Sequence, residues 1–195
     1  MGKTVEFLFD FGSPASYLAW KALPDVAART GAEIDYRPVL LGGVFKATGN
    51  ASPATIAVKG AWMNADLARW AAKRGTPFTR NPHFPINTLH LMRGAVGLRD
   101  DPRFLAYVDA VFDAMWNDPK NLGDPAEMGP VLARAGVSGE EFMAFQADED
   151  VKARLKADTE AAVARGMFGA PTFFVEGELY FGQDRLDFVE AALAG

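Results

Sequence analysis

DFGSPASYLAW, at residues 10–20, carries the chain from its first predicted strand into its first predicted helix. An apolar run at residues 5–9 precedes it and has the composition of a buried strand. Gly12 permits a turn, Ser13 is a favourable N-cap, and Pro14 suits the first helical position. Such a junction directs unpaired backbone N–H groups, and the positive end of a helix dipole, toward one point. The sequence therefore predicts either an anion-binding site at Ser13 or a serine that only caps its helix.

Composition narrows the chemistry that this chain can perform. Its 195 residues include no cysteine and only two histidines, and its net charge is −5. Without cysteine there is no disulfide, no cysteine nucleophile and no dithiol redox centre, so any thiol must come with a cofactor. We expect no metal site. The acidic balance and the lack of a basic cluster argue against nucleic acid and anionic membranes as partners.

Targeting signals are not evident in the sequence. The opening MGKTVEFLF lacks the length and order of a signal peptide. No apolar stretch approaches the ~20 residues of a membrane span. We therefore expect a cytoplasmic enzyme that acts on a small molecule.

The N-terminal end of the chain predicts a βαβ unit. A helix over residues 14–29 follows the first strand, and residues 33–39 alternate like a second strand. Pro24 should kink this helix or split off its last turn. Two strands joined through a helix are expected to be parallel, with a right-handed crossover.

The middle of the chain is predicted to be almost wholly helical. The predicted helices cover residues 40–50, 53–74, 88–97, 102–116, 125–135, 138–146 and 148–165. A loop with three prolines, residues 76–87, separates the second helix from the third. In the second helix the apolar positions are Ile56, Val58, Trp62, Leu67 and Trp70. We expect the tryptophans at helical spacing, Trp116 included, to lie in the core, although Trp62 could instead line the substrate side.

The C-terminal end returns to β-structure. A strand at residues 170–175, a turn at Glu176-Gly177 and a strand at residues 179–181 predict a hairpin, and a helix over residues 185–193 follows. The order βαβ, helices, ββα is that of a thioredoxin-like α/β fold with a large all-helical insertion. The predicted division is a thioredoxin-like domain, residues 1–40 plus 166–195, and a helical insertion, residues 41–165. Ser13 should then lie close to the corner at Ala170-Pro171.

Six motifs in order resemble a known family: DFGSPASYLAW, GGVFKATGN, DLARWA, NPHFP, FGAPTFF and FGQDRL. Together they resemble the 2-hydroxychromene-2-carboxylate isomerases, glutathione-dependent relatives of the kappa-class glutathione transferases. This group shares the thioredoxin fold with bacterial disulfide oxidases, which place a C-x-x-C where this chain has Ser13-Pro14-Ala15-Ser16. The resemblance spans nearly the whole chain and implies glutathione as the cofactor. Members of the group often form homodimers.

The resemblance implies a glutathione site around Ser13. Its hydroxyl would donate to the glutathione sulfur and, with the helix start, lower the pKa of the thiol. Donation and capping would then compete for one hydroxyl. Pro171 matches a cis-proline of the group, and Ala170 would offer its backbone to the cysteinyl part, although Pro171 could simply open an edge strand. The residues implied at the γ-glutamyl end are Phe181, Gly182, Gln183 and Asp184, where Asp184 could equally be a plain N-cap.

The electrophile is expected to bind against the helical insertion. The predicted substrate-binding residues are Lys46, Asn50, Thr55, His83 and Phe84. Lys46 could hold a substrate carboxylate, or it could only complement a helix dipole. His90 lies within a predicted helix and is expected to be structural.

The implied reaction is cis/trans isomerisation of 2-hydroxychromene-2-carboxylate-type substrates in aromatic catabolism, through reversible addition of a thiolate to a C=C bond. We expect the thiolate, not Ser13, to attack, because no histidine lies beside Ser13 in sequence to activate its hydroxyl. One alternative is a kappa-type transferase that conjugates other electrophiles. A second alternative is a non-catalytic thioredoxin-fold interaction module.

Overall fold

The computed structural model describes residues 2–195, and its strands form one mixed sheet. The strands are β1 (Thr4–Phe9), β2 (Glu33–Pro38), β3 (Thr172–Val175) and β4 (Glu178–Phe181), in the spatial order β2-β1-β3-β4. β1 pairs with β2 in parallel, whereas β1–β3 and β3–β4 are antiparallel. Both ends of the chain therefore build one sheet, and the predicted thioredoxin-like α/β fold is confirmed.

Each face of the sheet is covered by a core. On one face Phe7 of β1 lies opposite Phe173 of β3, with the ring centroids 5.4 Å apart, and both side chains are fully buried. On the other face Leu8 and Phe174 pack in a smaller cluster with Met167 and other apolar residues. Alternating side chains of a strand point to opposite faces, so β1 contributes to both cores.

Nine helices accompany the sheet within residues 2–195. They are α1 (Pro14–Thr30), α2 (Leu41–Thr48), α3 (Ala57–Arg74), α4 (Leu89–Gly97), α5 (Phe104–Trp116), α6 (Pro125–Arg134), α7 (Gly139–Ala147), α8 (Glu149–Ala164) and α9 (Leu186–Ala194). Helices α2 to α8 lie between β2 and β3 in the chain, where the sequence predicts the insertion. Among residues 2–195, none of the helices combines the length and the apolar character needed to cross a bilayer.

One of the two alternatives for Pro24, the split, and one predicted helix need correction. Pro24 does not split α1, which runs unbroken to Thr30. Leu23 and Val26 flank the proline and are buried, and this packing holds the helix across the missing hydrogen bond. Residues 53–74 are not one helix, because Pro53–Thr55 form a separate 3-10 turn and Ile56 is extended before α3 begins.

The predicted apolar face of α3 is also wrong over its first half. Ile56, Val58 and Trp62 are 48%, 77% and 64% exposed, and only Leu67 and Ala71 of α3 are buried. The first half of the helix stands over a cleft instead of resting on the core, so its apolar side chains find no layer beneath them. Trp116 is buried as predicted, whereas Trp70 is only partly buried.

The C-terminal hairpin forms as predicted. Glu176 and Gly177 both have positive φ, 50° and 91°, between β3 and β4. A two-residue hairpin loop of type I′ requires positive φ at both positions, which is why a glycine stands at the second one.

Candidate active site

Ser13 lies between β1 and α1, directly before the first residue of the helix. Its backbone is extended (φ −100°, ψ 110°), and its Oγ accepts the N–H of Ser16 at 3.1 Å, which caps the helix. The same hydroxyl donates its proton to the carbonyl oxygen of Ala170 at 2.8 Å, and Ser13 is only 5% exposed. Capping uses a lone pair and donation uses the O–H, so the expected competition between the two roles does not arise.

The corner at Ala170-Pro171 lies directly against Ser13, as the predicted topology requires. The peptide bond between these two residues is cis, as the resemblance implied. The carbonyl oxygen of Pro171 accepts the N–H of Gly182 at 3.0 Å. Ser13 from the N-terminal end of the chain is therefore joined to two C-terminal segments, Ala170-Pro171 and Gly182, which lie side by side.

Asp10 ties the turn before Ser13 to the helical insertion. Its two carboxylate oxygens accept the N–H groups of Gly12 and Leu41, each at 2.8 Å, and the residue is 1% exposed. Burial raises the pKa of the Asp10 carboxyl. The hydrogen bonds from the backbone of Gly12 and Leu41 and from the side chain of Thr88 partly oppose this rise. The sequence analysis missed Asp10. An acidic residue at the end of a buried strand, just before a glycine turn, was the available signal.

The γ-glutamyl segment predicted from the resemblance, residues 181–184, turns at Gly182, whose φ is 97°. Gln183 follows it in a 3-10 turn and is 4% exposed, with an amide oxygen that has no hydrogen-bond partner within residues 2–195. Asp184 forms an ion pair with Arg185. The segment therefore presents one unpartnered buried oxygen and one carboxylate directly after the end of β4.

Arg74 holds this segment from α3. Its Nη2 donates to the carbonyl oxygen of Gln183 at 2.6 Å, and its guanidinium lies 4.9 Å from the centre of the Trp70 ring. Burial lowers the pKa of Arg74, and the negative charge of Asp184 opposes this. The sequence contains no local sign of this contact, which joins residues more than a hundred positions apart.

A cleft of about 660 Å³ opens beside Ser13. This volume is in the range of small-molecule sites. The predicted site residues that line it are Ser13, Asn50, Phe84, Ala170, Pro171, Phe181, Gly182, Gln183 and Asp184. The lining residues that were not predicted as site residues include Phe45, Met63, Asp66, Arg80, Trp116 and Phe168. The candidate site therefore brings together residues from both chain ends and from the helical insertion.

Three predicted substrate residues lie outside the cleft lining. Lys46 is on the exposed side of α2, because Val44 is the residue of that helix that faces the core. Thr55 donates its hydroxyl to the carbonyl oxygen of Ser52 at 2.7 Å and so closes its own turn. The side chain of His83 is exposed. Their predicted contacts with a substrate receive no support from the cleft.

A second depression, of about 560 Å³, lies at the outer end of the sheet. It is open, and none of its lining residues within 2–195 has a buried unpartnered polar atom such as the amide oxygen of Gln183 in the cleft. Its charged side chains are already paired with acidic or basic neighbours: Lys3 with Glu176, Glu6 with Arg165, and Arg37 with Asp35. The cleft beside Ser13 is therefore the better candidate for chemistry.

The cleft has the start of a helix at one end and apolar residues along one side. Pro14 and Ala15 of the first turn of α1 line it, so the positive end of the helix dipole lies at Ser13. Neither histidine lines the cleft, and the Nε2 of His90 lies 2.9 Å from the carbonyl oxygen of Leu122, which fits its predicted structural role. A buried serine with no histidine base is poorly suited to attack a substrate itself. It is well suited to stabilise a bound anion.

Residues 4–194 match the family described as a DSBA-like thioredoxin domain. The chain belongs to this family. Within the DSBA-like group, a 2-hydroxychromene-2-carboxylate isomerase of Sphingobium xenophagum is 35% identical over 195 residues, covering 99% of each chain. Glutathione S-transferase kappa 1 of Homo sapiens is 29% identical, over 95% of this chain and 88% of the human protein.

A solved structure supports the same placement within the DSBA-like family. The structure of a selenomethionine 2-hydroxychromene-2-carboxylate isomerase superposes with a TM-score of 0.84 at 32% identity, over 97% of this chain and 94% of that one. The resemblance found in the sequence is thereby confirmed. Isomerases and glutathione transferases are enzymes, and the expectation that this chain is an enzyme is confirmed with it.

Proposed function

We propose that this protein is a cytoplasmic, glutathione-dependent cis/trans isomerase of 2-hydroxychromene-2-carboxylate-type substrates in aromatic catabolism. One observation carries the proposal: in a chain without cysteine, a helix N-terminus and the hydroxyl of Ser13 meet the backbone of Ala170-Pro171 at a cleft. This arrangement favours an anion, and thiol chemistry here requires a thiol from outside the chain. The relatives named as isomerases add support.

The residues that line the cleft fit glutathione. The unpartnered buried oxygen of Gln183 can accept from the α-ammonium group, and the carboxylate of Asp184 can pair with it. The positive φ of Gly182 lets the backbone approach closely without a side chain in the way. Ala170 and Pro171 are positioned to bind the cysteinyl part.

Ser13 performs the central task in this proposal. Glutathione, when bound, would supply a thiolate for reversible addition to the C=C bond, with no net oxidation or reduction. The Ser13 hydroxyl can rotate its proton from the Ala170 carbonyl to the sulfur while its lone pair keeps the N–H of Ser16. With the start of α1, it therefore holds the sulfur in its anionic form and lowers the pKa of the thiol.

The test is Ser13→Ala. We expect the pKa of the bound thiol to rise, and ultraviolet titration of the thiolate measures this change. We also expect kcat/KM to fall about 100-fold, which is typical of the loss of one preorganised hydrogen-bond donor to an anion. Ser138→Ala is the matched control, because Ser138 caps α7 through the N–H of Glu141 and lies outside the cleft lining. An unchanged thiol titration in Ser13→Ala would refute the role proposed for Ser13.

A kappa-type transferase is the second candidate, because the human kappa 1 enzyme is 29% identical over most of the chain. The same thiol site would serve both reactions. Product analysis separates them: an isomerase returns glutathione unchanged, whereas a transferase consumes it in a conjugate. The second alternative, a non-catalytic interaction module, is disfavoured by the enzyme names of the relatives.

A further inference from the structure

Arg80 is an unmatched positive charge in the cleft. The charged residues that line the cleft are Asp66, Arg80 and Asp184. Asp66 lies 3.6 Å from Arg69, and Asp184 is paired with Arg185. Arg80, the one basic residue among them, makes no ion pair and no side-chain hydrogen bond within the part of the chain that the structure describes. A guanidinium beside an apolar surface gains most from a carboxylate, which it can bind through two parallel hydrogen bonds.

The backbone is fixed on both sides of Arg80. The N–H of Thr79 donates to the carbonyl oxygen of Trp116 at 2.7 Å. Asn81 is 1% exposed, its Nδ2 donates to the carbonyl oxygen of Lys120 at 3.0 Å, and its Oδ1 accepts the N–H of His83 at 2.8 Å. Although it lies in a loop, Arg80 therefore projects from a held position, and binding a ligand has to order only its side chain.

The wall next to Arg80 is aromatic. The rings of Phe84 and Trp116 both line the cleft, and their centroids are 5.7 Å apart. An aryl group can pack on this surface while an attached carboxylate reaches the guanidinium. The segments proposed for glutathione, Ala170-Pro171 and residues 182–184, belong to other parts of the chain.

We propose that Arg80 binds a carboxylate of the electrophile and thereby sets the preference of the cleft for anionic aromatic substrates. The inference rests on the proposed function, because it assigns the second ligand of the same site. It gives to Arg80 the role that the sequence analysis considered for Lys46, which lies outside the cleft lining.

Two probes test the proposal by binding alone. Cinnamate and cinnamamide have the same shape and differ in charge, and their affinities are measured by calorimetry in the presence of S-methylglutathione, whose blocked sulfur cannot add to their C=C bonds. We expect the wild-type protein to prefer cinnamate. In Arg80→Gln the affinity for cinnamate should fall about tenfold, which corresponds to about 1.4 kcal/mol, while that for cinnamamide stays the same. Arg80→Lys should restore part of the preference, because a lysine keeps the charge but not the paired donors.

Arg154→Gln is the control for loss of a positive charge, since Arg154 lies on α8 outside the cleft lining and should leave both affinities unchanged. The proposal is wrong if the wild-type protein does not prefer cinnamate, or if Arg80→Gln weakens both probes equally. It is also wrong if Lys46→Gln removes the preference, or if Arg80→Gln weakens glutathione and not cinnamate. Because no turnover is needed, failure of this inference is distinguishable from failure of the isomerase assay.

Discussion

Ser13 and Gln183, on the side of the cleft built by the chain ends, are 5% and 4% exposed, whereas Trp62 of α3 on the insertion side is 64% exposed. The first side is tied together by hydrogen bonds from Ser13 to Ala170 and from Gly182 to Pro171. The first half of α3 contributes no buried residue to the core. One cleft thus combines a fixed wall from the chain ends with a loosely packed stretch, the first half of α3.

The difference suggests a division of labour in the proposed reaction. Glutathione always presents the same groups, and a wall of buried, hydrogen-bonded residues can be preorganised for it at no cost in each binding event. Electrophiles differ in shape, and exposed apolar side chains can adjust to them without disturbing the core. Stability should therefore depend on the sheet side, and substrate choice on the insertion side.

Phe173→Ala should produce the largest effect on stability. The side chain is fully buried and stacks on Phe7, so its removal should lower the free energy of unfolding by about 3–5 kcal/mol. Urea unfolding followed by circular dichroism measures the change. Phe188→Ala is the matched control, because Phe188 of α9 is 58% exposed and should cost far less. An equal loss of unfolding free energy in both variants would contradict the view that stability depends mainly on the packing of the sheet.

Glu6→Gln tests the ion pair that connects β1 of the sheet to the end of the helical insertion. Arg165, which follows α8, makes two hydrogen bonds of 2.7 Å to Glu6 and lowers the pKa of that carboxyl. The ordinary pKa of a glutamate is 4.5, and in the folded chain the pKa of Glu6 lies below this value. The unfolded chain therefore binds a proton at Glu6 more readily than the folded chain does. The stabilisation is therefore present above that value and is lost as the pH falls through the lowered pKa.

At neutral pH we expect Glu6→Gln to be less stable by about 0.5 kcal/mol, a modest effect because the pair is partly open to solvent. Urea unfolding at a series of acidic pH values should show the difference shrinking. Glu160→Gln, which removes an exposed pair within α8, should change the stability less. A difference that persists in acid would mean that Glu6 acts by packing and not by its charge.

Trp62→Ala should have the smallest effect on stability. Loss of this exposed side chain should change the free energy of unfolding by less than about 0.5 kcal/mol. Because Trp62 lines the cleft, cinnamate should bind more weakly, while the affinity for glutathione stays the same. Calorimetry gives the affinities for cinnamate and glutathione, and urea unfolding of the same preparation gives the free energy of unfolding. A loss of several kcal/mol would show that α3 is packed as part of the core.

Features controlled by neighbours in the chain could be predicted from the sequence. Ser13 caps α1 through an N–H three residues away, and Glu176-Gly177 turn the hairpin by their own backbone angles. The order of strands and helices follows from such signals, and with it the closeness of Ser13 and Ala170. Pro24 misled the prediction because the local preference against proline in a helix yields to the buried residues around it.

The sequence by itself determined the sheet, the helix start at Ser13 and the need for an external thiol. Only the tertiary structure decided that Trp62 faces the cleft, that Arg74 holds the segment at Gln183, and that Arg80 and not Lys46 lines the site. These outcomes depend on which surfaces meet across residues far apart in the chain. Local periodicity shows which side of a helix is apolar, but not whether a core or a cleft lies beneath it.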